Sequence, residues 1–68
     1  MVRAHVRRNY RVLLHQRRSS QDSKGRFAYY TIEDAHGPTD AARRAKALDY
    51  GKHGTPVDKL DVLSTKEL

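Results

Sequence analysis

Two stretches of alternating polarity flank a polar connector, and nothing else restricts the fold of this 68-residue chain as strongly. In YRVLLHQR, residues 10–17, Tyr10, Val12, Leu14 and Gln16 point one way, while Arg11, Leu13, His15 and Arg17 point the other. Alternation with a period of two marks a strand that keeps one face on a core and the other wet. In RFAYYTIE, residues 26–33, Ala28, Tyr30 and Ile32 share one face, and Phe27, Tyr29, Thr31 and Glu33 share the other. The connector RSSQDSKG, residues 18–25, is made of turn formers and ends on glycine, so the two strands are expected to pair as an antiparallel hairpin. Residues 1–9, MVRAHVRRN, have no turn signal and no sustained period, and read as a flexible basic arm ahead of a single small domain over residues 10–68.

A two-stranded hairpin is marginal in water unless something covers its apolar face. The cover expected here is a helix over Thr39–Tyr50, with Thr39 or Asp40 at its start and Gly51 as its left-handed stop. Ala41, Ala45 and Leu48 form its apolar stripe, joined by Ala42, with Arg43, Arg44, Lys46 and Asp49 lying away from it. The segment after it reads two ways. Thr55 and Pro56 resemble a helix start, and Val57, Leu60 and Leu63 recur at helical spacing, which favours a short helix; the loose alternation of LDVL fits a third strand. The expected fold class is therefore α+β: a basic antiparallel β-hairpin packed on one central α-helix, with a short C-terminal helix or third strand. The competing architecture is a mostly helical domain with the hairpin as a wing. Thr39–Tyr50 and Thr55–Leu63 would then form a helix-turn-helix, whose second helix carries Asp58 and Asp61 and suits phosphates poorly.

Such a chain has little to bury. Leu, Ile, Val and Phe number 13 of 68 residues, and a domain of this size buries only about 60% of the surface its unfolded chain exposes. The absence of cysteine removes disulfides and a four-cysteine zinc site as substitutes for a core. A homodimer that shares apolar surface is one remaining route to stability. No apolar run approaches the roughly 18–20 residues of a membrane span, and the Arg-rich start lacks the apolar stretch of a secretory signal, so a cytoplasmic protein with no membrane partner is expected.

The net charge of +6 is unevenly distributed. Residues 1–26 carry Arg3, Arg7, Arg8, Arg11, Arg17, Arg18, Lys24 and Arg26 against Asp22 alone, a balance of +7, whereas residues 27–68 balance at −1. Concentration of cations in one segment points to a polyanion partner. Seven of the eight are arginine, whose planar fork binds phosphate bidentately and stacks on bases. The expected partner is DNA or RNA, held at its phosphates by Arg7, Arg8, Arg11, Arg17, Arg18, Lys24 and Arg26. Phe27 and Tyr29, two apart on a strand and so about 6.5–7 Å from each other on one face, are candidates for base stacking. An acidic or nucleic-acid-binding surface of a partner protein is the alternative, because Arg and Tyr also dominate protein interfaces.

The run Lys24-Gly25-Arg26-Phe27-Ala28-Tyr29 resembles the basic–Gly–aromatic–Gly/Ala–aromatic strand of RNA-recognition-motif domains, with Arg26 as an insertion. That domain needs a strand, a helix and a second strand ahead of this run, which 23 residues do not supply. Only the physics of adjacent aromatics carries over. Catalysis is not expected. His36 and His53 flank the central helix near Asp34, Asp40 and Asp49, but at no recognised metal or acid–base spacing, and His5 and His15 with the arginines are the only set convenient for a small ribonuclease. No cofactor is implied.

Overall fold

In the computed structural model, residues 7–17 and 25–68 are described. They form three strands and one helix: β1 (Arg8–Gln16), β2 (Arg26–Ala35), α1 (Pro38–His53), a single 3-10 turn (Val57–Lys59) and β3 (Leu60–Glu67). The sheet is antiparallel in the order β2-β1-β3, so β1 is central and the chain returns across the helix to pair with its first strand.

The alternation read in the two hairpin strands is the alternation that packs. Tyr10 pairs with Ile32, Val12 with Tyr30 and Leu14 with Ala28. Tyr10, Val12, Leu14 and Ile32 are buried, and Tyr30 packs at the edge of that cluster. The helix lies on this face through Ala41 and Ala45, both fully buried, whose small side chains let it approach closely. Leu60 at the start of β3 and Ala35 at the end of β2 complete the core.

Ala35 reaches the core through an irregularity. Arg8 pairs with Ala35 and Tyr10 with Ile32, so β2 carries one residue more than β1 across this interval. Asp34 takes up the excess in the left-handed region, at φ 56°, and its N–H donates to Asn9 Oδ1 at 3.1 Å. Aspartate tolerates this conformation better than most residues. Strict alternation would have aimed Asp34 at the helix; the bulge aims Ala35 there instead.

Several sequence expectations require correction. The segment after the helix is not a second helix but one 3-10 turn followed by an eight-residue strand, which also removes the helix-turn-helix and the winged alternative. Pairing with the free edge of β1 satisfies the backbone of this segment, and a lone two-turn helix with three apolar residues would not bury as much. The helix runs past the expected stop at Gly51 to His53, and Gly54 ends it at φ 72°, its N–H donating to Tyr50 O at 2.7 Å. The buried stripe continues from Ala41 and Ala45 to Asp49, not to Leu48, which is 52% exposed. At the other end no side chain caps the helix from outside; Asp40 accepts the His36 N–H at 3.1 Å from within the first turn, and Pro38 occupies the first position. β1 also takes in Arg8 and Asn9, ahead of the expected start at Tyr10.

Candidate nucleic-acid interface

The helix covers one face of the sheet and leaves the other uncovered. Cross-strand pairing arranges that open face in three rows. Phe27, His15 and Asp61 form the first, Tyr29, Leu13 and Ser64 the second, and Thr31, Arg11 and Lys66 the third. Directly paired residues project on the same side of a sheet, so these nine side chains share one surface. Phe27 is 63% exposed and Tyr29 67%, in a chain that buries scarcely any other aromatic surface except Tyr10 and part of Tyr30. The fold spends Ala28, Tyr30 and Ile32 on its core side and leaves Phe27 and Tyr29 in solvent.

Phe27 is braced rather than loose. Its ring meets the His15 imidazole with centroids 4.7 Å apart and planes inclined by 45°. Gly25 lies against the same imidazole, so close that a Cβ would overlap His15 Nε2. The glycine expected as a turn former is thus also the residue that leaves room for the imidazole beside Phe27.

The cations divide into three groups. Arg11 and Lys66 sit side by side in the third row, exposed and with no ion-pair partner among the described residues, and Arg7 is likewise exposed. Arg8 and Arg17 are exposed but paired: Arg8 Nη1 reaches Glu67 Oε2 at 3.4 Å, and Arg17 holds Asp61 through Nε and Nη2 at 2.8–3.2 Å. That fork lowers the Asp61 carboxyl below its usual range and raises Arg17 further. Arg18 and Lys24 lie outside the described residues.

Arg26 belongs to the opposite face. Its Nη2 donates to Asp49 Oδ1 at 2.7 Å and to Thr55 Oγ1 at 3.3 Å, and its Nε donates to Gln16 Oε1 at 2.9 Å. The Tyr30 hydroxyl donates to the other Asp49 oxygen at 2.7 Å. Burial opposes the charge on Asp49, but the bonds from Arg26 and Tyr30 outweigh it, and the carboxyl is held below the ordinary aspartate range. Burial and the same bond push the Tyr30 phenol up. Arg26 is therefore a tie between the hairpin and the last turns of the helix, not one of the free cations expected from its place beside the connector.

Two participants escaped the sequence reading. Lys66 and Ser64 join the open face because residues 60–67 are a strand whose register shifts between Val62 and Ser64, opposite Leu14 and Leu13; unbroken alternation from buried Leu60 would have put both on the helix side, so an extended reading of LDVLSTKE alone would not have found them. Asp49 escaped because a charged residue on a helix is ordinarily solvated. Its position four residues after Ala45, in the stripe 41–45–49, was the available signal.

Among the described residues, no three His, Asp or Glu side chains gather as metal ligands would. Asp40, one of the carboxylates near the helix start, is held low by Arg43 at 2.6 Å and by the His36 N–H. No described helix is long and apolar enough to cross a membrane. Comparison with known proteins gives no match: no family model, no curated protein and no solved structure is similar to the chain.

Proposed function

We propose that this protein is a small non-catalytic nucleic-acid-binding module, and that the uncovered face of its sheet is the binding surface. The observation that carries this reading is the pairing of two exposed aromatic rings, Phe27 and Tyr29, with Arg11 and Lys66, cations without an ion-pair partner among the described residues, on one face. Rings and cations side by side match the two chemistries of a polynucleotide, whose bases stack and whose phosphates attract charge. Arg7 is exposed just ahead of β1, and Arg8, exposed but on the side of Ala35 and paired with Glu67, adds charge at that end; the chain ahead of residue 27 carries a balance of +7, which supplies long-range attraction to a polyanion. Arg17 extends the positive charge beyond the first row, and the connector adds Arg18 and Lys24 to the charge of the chain. Arg26 has no part in it.

The test is a binding titration with single- and double-stranded DNA and RNA at 50 and 200 mM salt. Binding at 50 mM that weakens steeply at 200 mM is expected. No binding to any of them at 50 mM removes the reading. A pull-down from nuclease-treated extract that instead recovers one stoichiometric protein would transfer the surface to a protein partner, for which the same arginines and aromatics are suited.

A further inference from the structure

We propose that the open face selects single strands over duplexes, by stacking two successive unpaired bases on Phe27 and Tyr29. This inference rests on the nucleic-acid reading above and names the substrate class of the same surface.

Width excludes the duplex grooves. Neighbouring strands lie about 4.8 Å apart, so the backbones of β2 and β3 are about 10 Å apart before any side chain is added. The major groove of B-DNA is about 12 Å wide and admits one helix or a two-stranded ribbon. Phe27 and Tyr29 stand on a three-stranded face backed by α1, which touches all three strands. A duplex could meet this face only at its phosphate ridges, where two apolar rings would lie against charged oxygens and gain nothing. An unpaired base offers them a ring.

Spacing agrees with that occupant. Rings two residues apart on a strand are about 6.5–7 Å from each other, a separation that consecutive bases span once they are unstacked from one another. From the first row to the third is four residues, or roughly 13 Å along β1, which accommodates about two extended nucleotides. Charge is placed to match: Arg11 and Lys66 lie one row beyond Tyr29, and Arg17 lies beyond Phe27 at the other end. A strand laid along β2 and β1 would set its bases on the rings and its flanking phosphates at these two ends. His15 supports Phe27 from one side, so a base has the remaining ring surface. Leu13, between Tyr29 and Ser64, is half-buried and gives the second base an apolar floor.

The experiment compares four labelled ligands of equal phosphate count by fluorescence anisotropy at 50 mM salt: an oligo-dT, an oligo-U, an abasic strand and a blunt duplex. Both base-bearing strands are expected to bind at least ten times more tightly than the abasic strand and the duplex. Phe27→Ala and Tyr29→Ala should each weaken binding of the base-bearing strands roughly 5- to 150-fold and leave the abasic strand unchanged. Tyr29→Phe should retain most of the affinity, and Tyr50→Ala, an exposed tyrosine on the helix, should change nothing. Both rings are exposed, so unchanged thermal unfolding of the alanine variants is the check that the fold survives. Equal affinity for the abasic strand, the duplex and the base-bearing strands would overturn the inference while leaving a phosphate-binding module standing. Failure of all four ligands to bind would overturn both.

Discussion

Asp49 is a fully buried aspartate whose two oxygens are both used, one by Arg26 and one by Tyr30. Removing one partner of a buried pair leaves the other uncompensated, at a cost of about 3–5 kcal/mol. Arg26 retains 31% of its side-chain exposure, which places Asp49→Ala near the lower end, about 3 kcal/mol. That is a large part of the stability available to a domain of this size, on the order of 3–10 kcal/mol. Urea denaturation of Asp49→Ala should show a midpoint much reduced from the wild type, with Asp49→Asn falling between them. The same site sets an acid limit. The folded carboxyl titrates below the ordinary aspartate value of 3.8, so its contribution is complete above that value and disappears as pH falls through the folded one. Asp40 and Asp61 act in the same direction. The difference in stability between wild type and Asp49→Asn should therefore be constant above about pH 5 and shrink as pH falls toward 2. A difference that does not change with pH would mean that folding does not lower the Asp49 carboxyl, and one that grows as pH falls would mean that Asp49 is neutral in the folded protein. The sequence could not disclose this residue as a partner of Arg26, because 23 positions separate them and only the crossing of helix and hairpin brings them together.

At the scale of elements, two glycines separate what sequence and structure say about the end of the helix. Gly51 lies inside α1 with open space around its Cα, whereas Gly54 stands at φ 72°, also in open space. Gly51→Ala should therefore stabilise the protein by about 0.5–1 kcal/mol, through helix propensity and a less flexible unfolded chain. Gly54→Ala should destabilise it by about 1–2 kcal/mol, since alanine must adopt the left-handed conformation. Thermal unfolding of the two variants should shift in opposite directions, and a shift of both in one direction would contradict the observed stop. Gly51 was read as the stop from its place after Tyr50, but the helix continues through it to His53 and uses Gly54. The hairpin was legible with its faces assigned, because alternation over eight residues has one reading when a core must be buried. The third strand was legible only as one of two readings, since Val57, Leu60 and Leu63 also satisfy a helical spacing, and only the vacant edge of β1 decides between the two. The bulge at Asp34 was also invisible: it is a response to the register of Asn9 and Tyr10 across the sheet, not to a local motif.

At the scale of the whole molecule, affinity for a polyanion separates into a part that salt weakens and a part that it does not. On single strands the logarithm of affinity falls with the logarithm of salt at about −0.7 per neutralised phosphate. If Arg7, Arg8, Arg11 and Lys66 act together, the slope is about −3, and affinity should fall roughly 50-fold between 50 and 200 mM. Arg11→Ala should make that slope shallower by about 0.7, while Phe27→Ala should lower affinity at every salt concentration and leave the slope alone. Identical slopes for wild type and Arg11→Ala would mean that the third row does not touch phosphate. Asp61 gives this division its sharpest form. Its carboxylate occupies the fork of Arg17 at the edge of the stacking surface, and an exposed pair of this kind adds little to the fold because solvent screens it. Asp61→Asn should thus leave stability almost unchanged while releasing Arg17 and removing a negative charge from the first row. Affinity for a single strand should rise several-fold and the salt slope steepen by about 0.7, one further phosphate. Weaker binding by Asp61→Asn would instead mean that the carboxylate holds Arg17 in the position from which it serves the strand, and would assign the pair to the binding surface as a unit.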